Sequence, residues 1–221
     1  MGTAMSDSPA REAQQPPYSP GLEGVIAGES ALCLVDEGES GLLYRGYGIA
    51  DLAEHGTFEE VAYLLLLGHL PTRRELKGFS EQVIGQSLVP RPVEAFLNVM
   101  PQGAHQMDVL RTAVSILGMT DPDAGDSSRD ANIRKSIRLL AQMPLLISAA
   151  HRIANGTPLV SRRPDLSFAE NLLYLLTGRK GDDQANAMAH VLDVSLTLYA
   201  EHEFNASTFS ARVTASTMTD L

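Results

Sequence analysis

Gln184-Ala-Asn-Ala-Met-Ala-His-Val-Leu-Asp-Val-Ser-Leu-Thr-Leu-Tyr199 places apolar side chains on nearly every face of a helix, and it runs directly into Ala200-Glu-His-Glu-Phe-Asn-Ala-Ser-Thr-Phe209. A helix that is apolar all round is one that is buried, in a core or a subunit interface. The sequence therefore predicts a buried helix over 184–199 and a histidine, His202, held deep in the fold at its end. Glu201, His202, Glu203, Asn205, Ser207 and Thr208 crowd together there. Buried polar groups cost free energy unless they find partners, so the cluster implies a shared hydrogen-bond network or a bound ligand. Ser207 or Thr208 is expected to cap the following helix, whose first amides favour an anion.

Upstream the signals are again helical. Thr57-Phe-Glu-Glu60, Thr72-Arg-Arg-Glu75 and Ser167-Phe-Ala-Glu170 are capping boxes, each ahead of an apolar run. Gly68 and Gly178 are read as stops for the first and third of these helices, and the second is expected to reach about Gln86. Pro92 suits the first turn of a helix carrying Val93, Phe96 and Leu97. A further helix is read from Asp108 to Leu117, with Gly118 as its stop. Asp121 to Ser128 reads as a surface loop. A long helix spans Ala131 to Asn155, with Gly156 after it and a kink expected at Pro144.

Residues 21–49 differ. Val25–Ala27, Ala31–Val35 and Leu42–Tyr44 are short apolar runs read as small strands, with 36–41 as a hairpin turn. Residues 1–20, rich in Pro, Ser and Gln, read as a disordered tail. No repeat and no heptad seam is present, so the expected fold class is all-α with a small β element near the N-terminus.

Composition narrows the function. The chain has 221 residues, 44% apolar, 5% aromatic and no Trp, enough for one large domain or two small ones. Its net charge is −10, with no basic stripe, which argues against nucleic acid or anionic membrane as partners. Cys33, the one cysteine, rules out an internal disulfide; within Ala-Leu-Cys-Leu-Val it reads as a small buried hydrophobe rather than a nucleophile. No apolar run reaches the ~20 residues that span a bilayer, and the N-terminus lacks a signal-peptide core. A reducing cytoplasm is the expected compartment.

GxGxxG, P-loop, HExxH and GxSxG motifs are all missing. The histidines, at 55, 69, 105, 151, 190 and 202, lack metal-ligand spacing, so no metal site is expected. His55, His69 and His151 are read at helix ends, His105 just before a helix, and His190 as a hydrogen-bonded core histidine.

Ala200-Glu-His-Glu-Phe-Asn-Ala-Ser-Thr-Phe209 resembles the signature of the citrate synthase family, in its bacterial citrate and 2-methylcitrate synthase branch. The likeness extends through Gly24-Val-Ile-Ala-Gly28, Leu43-Tyr-Arg-Gly-Tyr47, Ile49-Ala-Asp-Leu52, Phe58-Glu-Glu-Val-Ala62, Gly68-His-Leu-Pro-Thr-Arg73 and Met107-Asp-Val-Leu-Arg111. It implies a mostly helical homodimer whose large and small domains close over the substrates. It also implies condensation of oxaloacetate with acetyl-CoA or propionyl-CoA and hydrolysis of the thioester, with the acyl-CoA as co-substrate and no further cofactor. By the same likeness His202 is the histidine that hydrogen-bonds oxaloacetate, Asn205 lines its pocket and Arg73 is a substrate contact. An exposed first-turn arginine is the competing reading for Arg73, and Arg45 reads as structural.

The family supplies its enol-stabilising histidine from a Gly-Pro-x-His-Gly motif, and its second histidine, aspartate base and clamping arginines from further along. None of these occurs here. The resemblance thus places residues 21–221 as the N-terminal part of the helical domain, with the small domain and catalytic residues expected beyond Leu221 and this chain alone expected to be inactive. The alternative is a non-catalytic helical module that pairs with itself or a partner.

Overall fold

The computed structural model describes residues 26, 28–35, 38, 41–101 and 103–217. The tail expected over 1–20 lies outside them, as do Val25 and Ala27; Ile26 between these two is not in a strand. The sheet has three short strands: β1 (Cys33–Val35), β2 (Leu42–Tyr44) and β3 (Tyr47–Gly48). All pairings are antiparallel, with Cys33 opposite Tyr44 and Tyr44 opposite Tyr47. β3 was not expected from the sequence. It exists because Arg45 and Gly46 both take positive φ, 51° and 89°, which makes the two-residue hairpin turn that matches strand twist. Arg45 is structural here. Its amide donates to the Leu32 carbonyl at 2.9 Å and its guanidinium to the Leu65 carbonyl at 3.0 Å.

Nine helices follow among the described residues: α1 (Ile49–His55), α2 (Phe58–Leu67), α3 (Arg73–Gly85), α4 (Arg91–Val99), α5 (Gln106–Thr120), α6 (Arg129–Ala154), α7 (Phe168–Thr177), α8 (Asp183–Leu198) and α9 (Ala206–Ala215). The fold class is all-α, as read from the sequence. All three capping boxes close as expected at Thr57, Thr72 and Ser167, and Gly68 and Gly178 end their helices at φ 98° and 77°. Gly118 does not stop α5, which continues to Thr120. A glycine interior to a helix costs only about 1 kcal/mol, and Leu117 is already buried in the core beside it. α6 runs without interruption through Pro144.

α6 is the spine. Its first half, with Ile137 and Ala141, joins Ala62, Tyr63, Phe79, Val83 and Phe168 from α2, α3 and α7. Its second half, with Leu146, Ala149 and Ala150, packs on Val93, Leu97, Val109, Ala113 and Leu117 from α4 and α5. A third cluster, Cys33, Tyr44, Leu52, Val61 and Leu64, fixes the sheet to α1 and α2. Cys33 is the small buried hydrophobe that the sequence suggested.

α8 is not buried all round. α1, α2 and α7 pack on one side of it, enclosing Ala185, Ala189 and Thr197. Met188, Val191, Leu198 and Tyr199 stay exposed, Tyr199 at 85%. His190, expected in the core, is exposed on the same helix, because it follows Ala189 onto the uncovered side.

Candidate functional site

The turn between α8 and α9 carries the polar cluster, and two strands of the sheet hold it. The last carbonyls of a helix have no partners within the helix. At the end of α8 they meet the hydroxyl of Tyr44, whose side chain is fully buried. Its Oη lies 3.1 Å from the Thr197 carbonyl oxygen, 3.2 Å from that of Leu198 and 2.8 Å from that of Glu201. The same oxygen accepts the Glu201 amide at 3.1 Å. One phenol thus serves the end of α8 and both backbone groups of Glu201. Burial pushes its pKa above the ordinary value, so the O–H donor persists at neutral pH.

The second hold is on Glu203. Its φ of 71° is left-handed, a conformation that strains a non-glycine residue by of order 1 kcal/mol or more. Its carboxylate Oε1 accepts the Val35 amide of β1 at 3.0 Å and over-determines that conformation. Beyond it, Asn205 caps α9, Oδ1 accepting the Thr208 amide at 2.8 Å. The expected cap at Ser207 or Thr208 is corrected: both lie inside the first helical turn, whereas a cap must keep extended backbone. With its oxygen so engaged, Asn205 has Nδ2 to offer a ligand.

His202 stands between these two held neighbours and is exposed, contrary to the deep placement expected of it. α9 has no buried residue, so the turn stays at the surface of the described residues. The polar groups also do not form one shared network. Glu203 turns to Val35, Asn205 to Thr208 and the Glu201 backbone to Tyr44, while the imidazole has no hydrogen-bond partner among the described residues. The demand for partners applies to desolvated groups, and this imidazole is exposed among the described residues. Positive charge comes from Arg212 of α9, whose guanidinium lies 4.7 Å from the Phe204 ring centre. That guanidinium packs so closely on Gly28 that a methyl group there would overlap it.

Arg73 is an exposed residue in the first turn of α3, and no hydrogen bond or ion pair among the described residues joins it to His202 or Asn205. Behind the turn, Ala200 and Glu201 border an apolar cleft of about 540 Å³ walled by Phe58, Leu65, Met143 and Leu196. Sequence reasoning passed over Tyr44. The signal was available: a tyrosine on the inward face of a short strand must find a partner for its hydroxyl.

A family model described as "Citrate synthase, C-terminal domain" matches residues 21–221. The chain belongs to the citrate synthase family. It is similar to a citrate synthase of Acidithiobacillus ferridurans, 42% identical over 93% of this chain and 54% of that protein. It is likewise similar to a 2-methylcitrate synthase of Shewanella oneidensis, 43% identical over 91% of this chain and 52% of that protein. The chain therefore spans about half the length of the curated relatives it matches. Among solved structures, the citrate synthase of Pyrobaculum aerophilum superposes with a TM-score of 0.83 at 33% identity, covering 98% of this chain and 57% of that one. The Thermoplasma acidophilum citrate synthase, solved as a ternary complex with carboxymethyl coenzyme A and oxaloacetate, gives 0.84 at 27% identity, covering 92% and 52%.

Proposed function

We propose that this segment supplies the oxaloacetate-gripping histidine of a citrate or 2-methylcitrate synthase. The whole protein would condense oxaloacetate with acetyl-CoA or propionyl-CoA and hydrolyse the resulting thioester. The single observation that carries the reading is the presentation of His202: an exposed imidazole on a turn whose flanking residues are both anchored, within the family's own motif. An imidazole N–H donates to a carbonyl or carboxylate oxygen of a keto-acid. The amides opening α9 favour an anion, and the guanidinium of Arg212 on the same helix sets positive charge against the carboxylates of Glu201 and Glu203. Asn205 can add one amide donor. Arg73 is retained as a substrate contact only from its place in the Gly68–Arg73 motif. Deprotonation of the acyl carbon needs a carboxylate base and stabilisation of the enol, which this reading assigns to residues beyond these 221.

A complete synthase carrying this segment provides the test. His202→Ala should weaken oxaloacetate binding at least about tenfold, or about 1.4 kcal/mol. His151→Ala, in the last turn of α6, should leave it within about twofold. Equal affinities in two variants that melt like the parent would end the reading.

The uncovered apolar row of α8 favours a second component of the proposal, that α8 is covered in the working protein, by a second copy in a homodimer or by other helices of the enzyme.

A further inference from the structure

The residues on either side of His202 are pinned by two contacts that reach back more than 150 positions in sequence. Tyr44 Oη binds both backbone groups of Glu201, 157 residues away, and the Val35 amide binds the Glu203 carboxylate, 168 residues away. We infer that Tyr44 is a positioning residue for His202, its hydroxyl fixing the turn in the conformation that meets oxaloacetate, with Glu203 as the second pin. The inference rests on the reading of His202 as an oxaloacetate ligand.

The hydroxyl is what matters at position 44. Phenylalanine would fill the same space in the cluster of Cys33, Leu52, Val61 and Leu64. It would also leave the Leu198 and Glu201 carbonyls and the Glu201 amide without that oxygen, while the Thr197 carbonyl keeps the Ala200 amide at 3.3 Å. α9 buries none of its residues, so packing from that side does little to fix the turn. The imidazole itself takes no part in holding the turn. The backbone on either side of it is held through Glu201 and Glu203, so the turn that carries it is fixed before a ligand arrives. When a binding-competent arrangement is only partly populated, apparent affinity falls by that fraction. A turn that keeps its pinned form one-tenth of the time would bind oxaloacetate about tenfold more weakly.

In the complete synthase, Tyr44→Phe should raise the KM for oxaloacetate about tenfold and leave the KM for acyl-CoA unchanged. A role confined to folding would instead lower kcat through the active fraction, with both KM values unmoved. Glu203→Ala, at a partly exposed position, removes the second pin without touching the core. It should raise the oxaloacetate KM severalfold, and Glu203→Gln, which keeps an acceptor for the Val35 amide, should restore it. If Tyr44→Phe does not fold, this pair decides alone. With His202→Ala weakening oxaloacetate as proposed, an unmoved oxaloacetate KM in folded Tyr44→Phe and in Glu203→Ala would overturn the positioning role only. An unmoved value in His202→Ala would remove the reading beneath it as well.

Discussion

The carboxylate of Glu59, in the first turn of α2, accepts the amide of Phe168 at 2.7 Å and so closes the N-terminus of a helix 109 residues away. The same device recurs one helix back, where Asp193 of α8 accepts the Phe58 amide at 3.2 Å. In both cases the capping box satisfies the cap residue and the third helical amide, and a carboxylate from another helix takes the first amide. The Phe58 and Phe168 rings meet at 4.9 Å between centres beneath the pair. α8, α2 and α7 are thereby locked in sequence.

Burial raises the pKa of Glu59 above the ordinary 4.5, and the Phe168 amide offsets only part of that. The folded chain thus holds this proton more tightly than the unfolded one. The resulting stability is fully present below the ordinary value and is lost as pH rises through the folded pKa. Glu59→Gln keeps an acceptor and carries no charge. Urea midpoints taken from pH 4.5 to 7.5 should show it near the parent in acid and gaining on the parent as pH rises. Glu59→Leu, which orphans the Phe168 amide, should cost about 1–3 kcal/mol at the acid end and less as pH rises.

Asn171, 1% exposed, holds the 163–167 segment through four hydrogen bonds. Its Nδ2 donates to the carbonyls of Arg163, Leu166 and Ser167, and its Oδ1 accepts the Arg163 amide. Asn171→Leu fits the volume but takes this partner from the Arg163 amide and from the Arg163 and Leu166 carbonyls, while the Ser167 carbonyl keeps the Asn171 backbone amide at 2.9 Å. The expected loss is at least about 3 kcal/mol, since each buried unsatisfied group costs about 1–3. Thermal melting and hydrogen exchange at 163–167 should report it together.

The 121–128 loop is tied down by charge. Arg138 binds Asp121 through Nε at 2.8 Å and Nη2 at 2.6 Å, and reaches Asp123 at 2.6 Å. Arg134 takes Asp123 as well, at 2.6 Å. The two guanidiniums hold the Asp123 carboxyl well below the usual carboxylate range. A depressed pKa contributes stability that is present above the ordinary value and lost as pH falls toward the folded one. Protection factors of the amides in 122–128, corrected for the intrinsic pH dependence of exchange, should therefore fall on acidification below about pH 4. Asp123→Asn should lower them already at neutral pH. Lys77→Ala, which breaks the exposed pair with Glu81, should change nothing measurable in the melt.

The helices were legible because their ends are written in local chemistry: Thr57, Thr72 and Ser167 each face a glutamate three residues on, and Gly68 and Gly178 take the left-handed φ that ends a helix. Burial was less legible. α8 is apolar all round in sequence, yet what covers a helix is decided by neighbours that local pattern does not name. His202 and His190 were both placed too deep for that reason. The anchors of the His202 turn could not be read from spacing at all, since Tyr44 and Val35 meet it across more than 150 residues. A tertiary contact of that range leaves only a weak trace, a tyrosine in a strand position that must be buried.

The exposed row of α8 bears on what the 221 residues do alone. Met188, Val191, Leu198 and Tyr199 are between 40% and 85% exposed, and the cleft of about 540 Å³ beside Ala200 is walled mostly by apolar side chains. Water against that much apolar surface favours association. The isolated chain should therefore run above its monomer mass in light scattering, and Val191→Glu combined with Tyr199→Glu should shift it toward monomer. It should also release no coenzyme A from acetyl-CoA or propionyl-CoA with oxaloacetate, because the reading places the base and enol-stabilising groups outside these residues. His202 remains in that chain, so binding and turnover must be measured separately. Turnover from a preparation of confirmed mass would place catalytic groups within residues 1–221 and require a different assignment of the site.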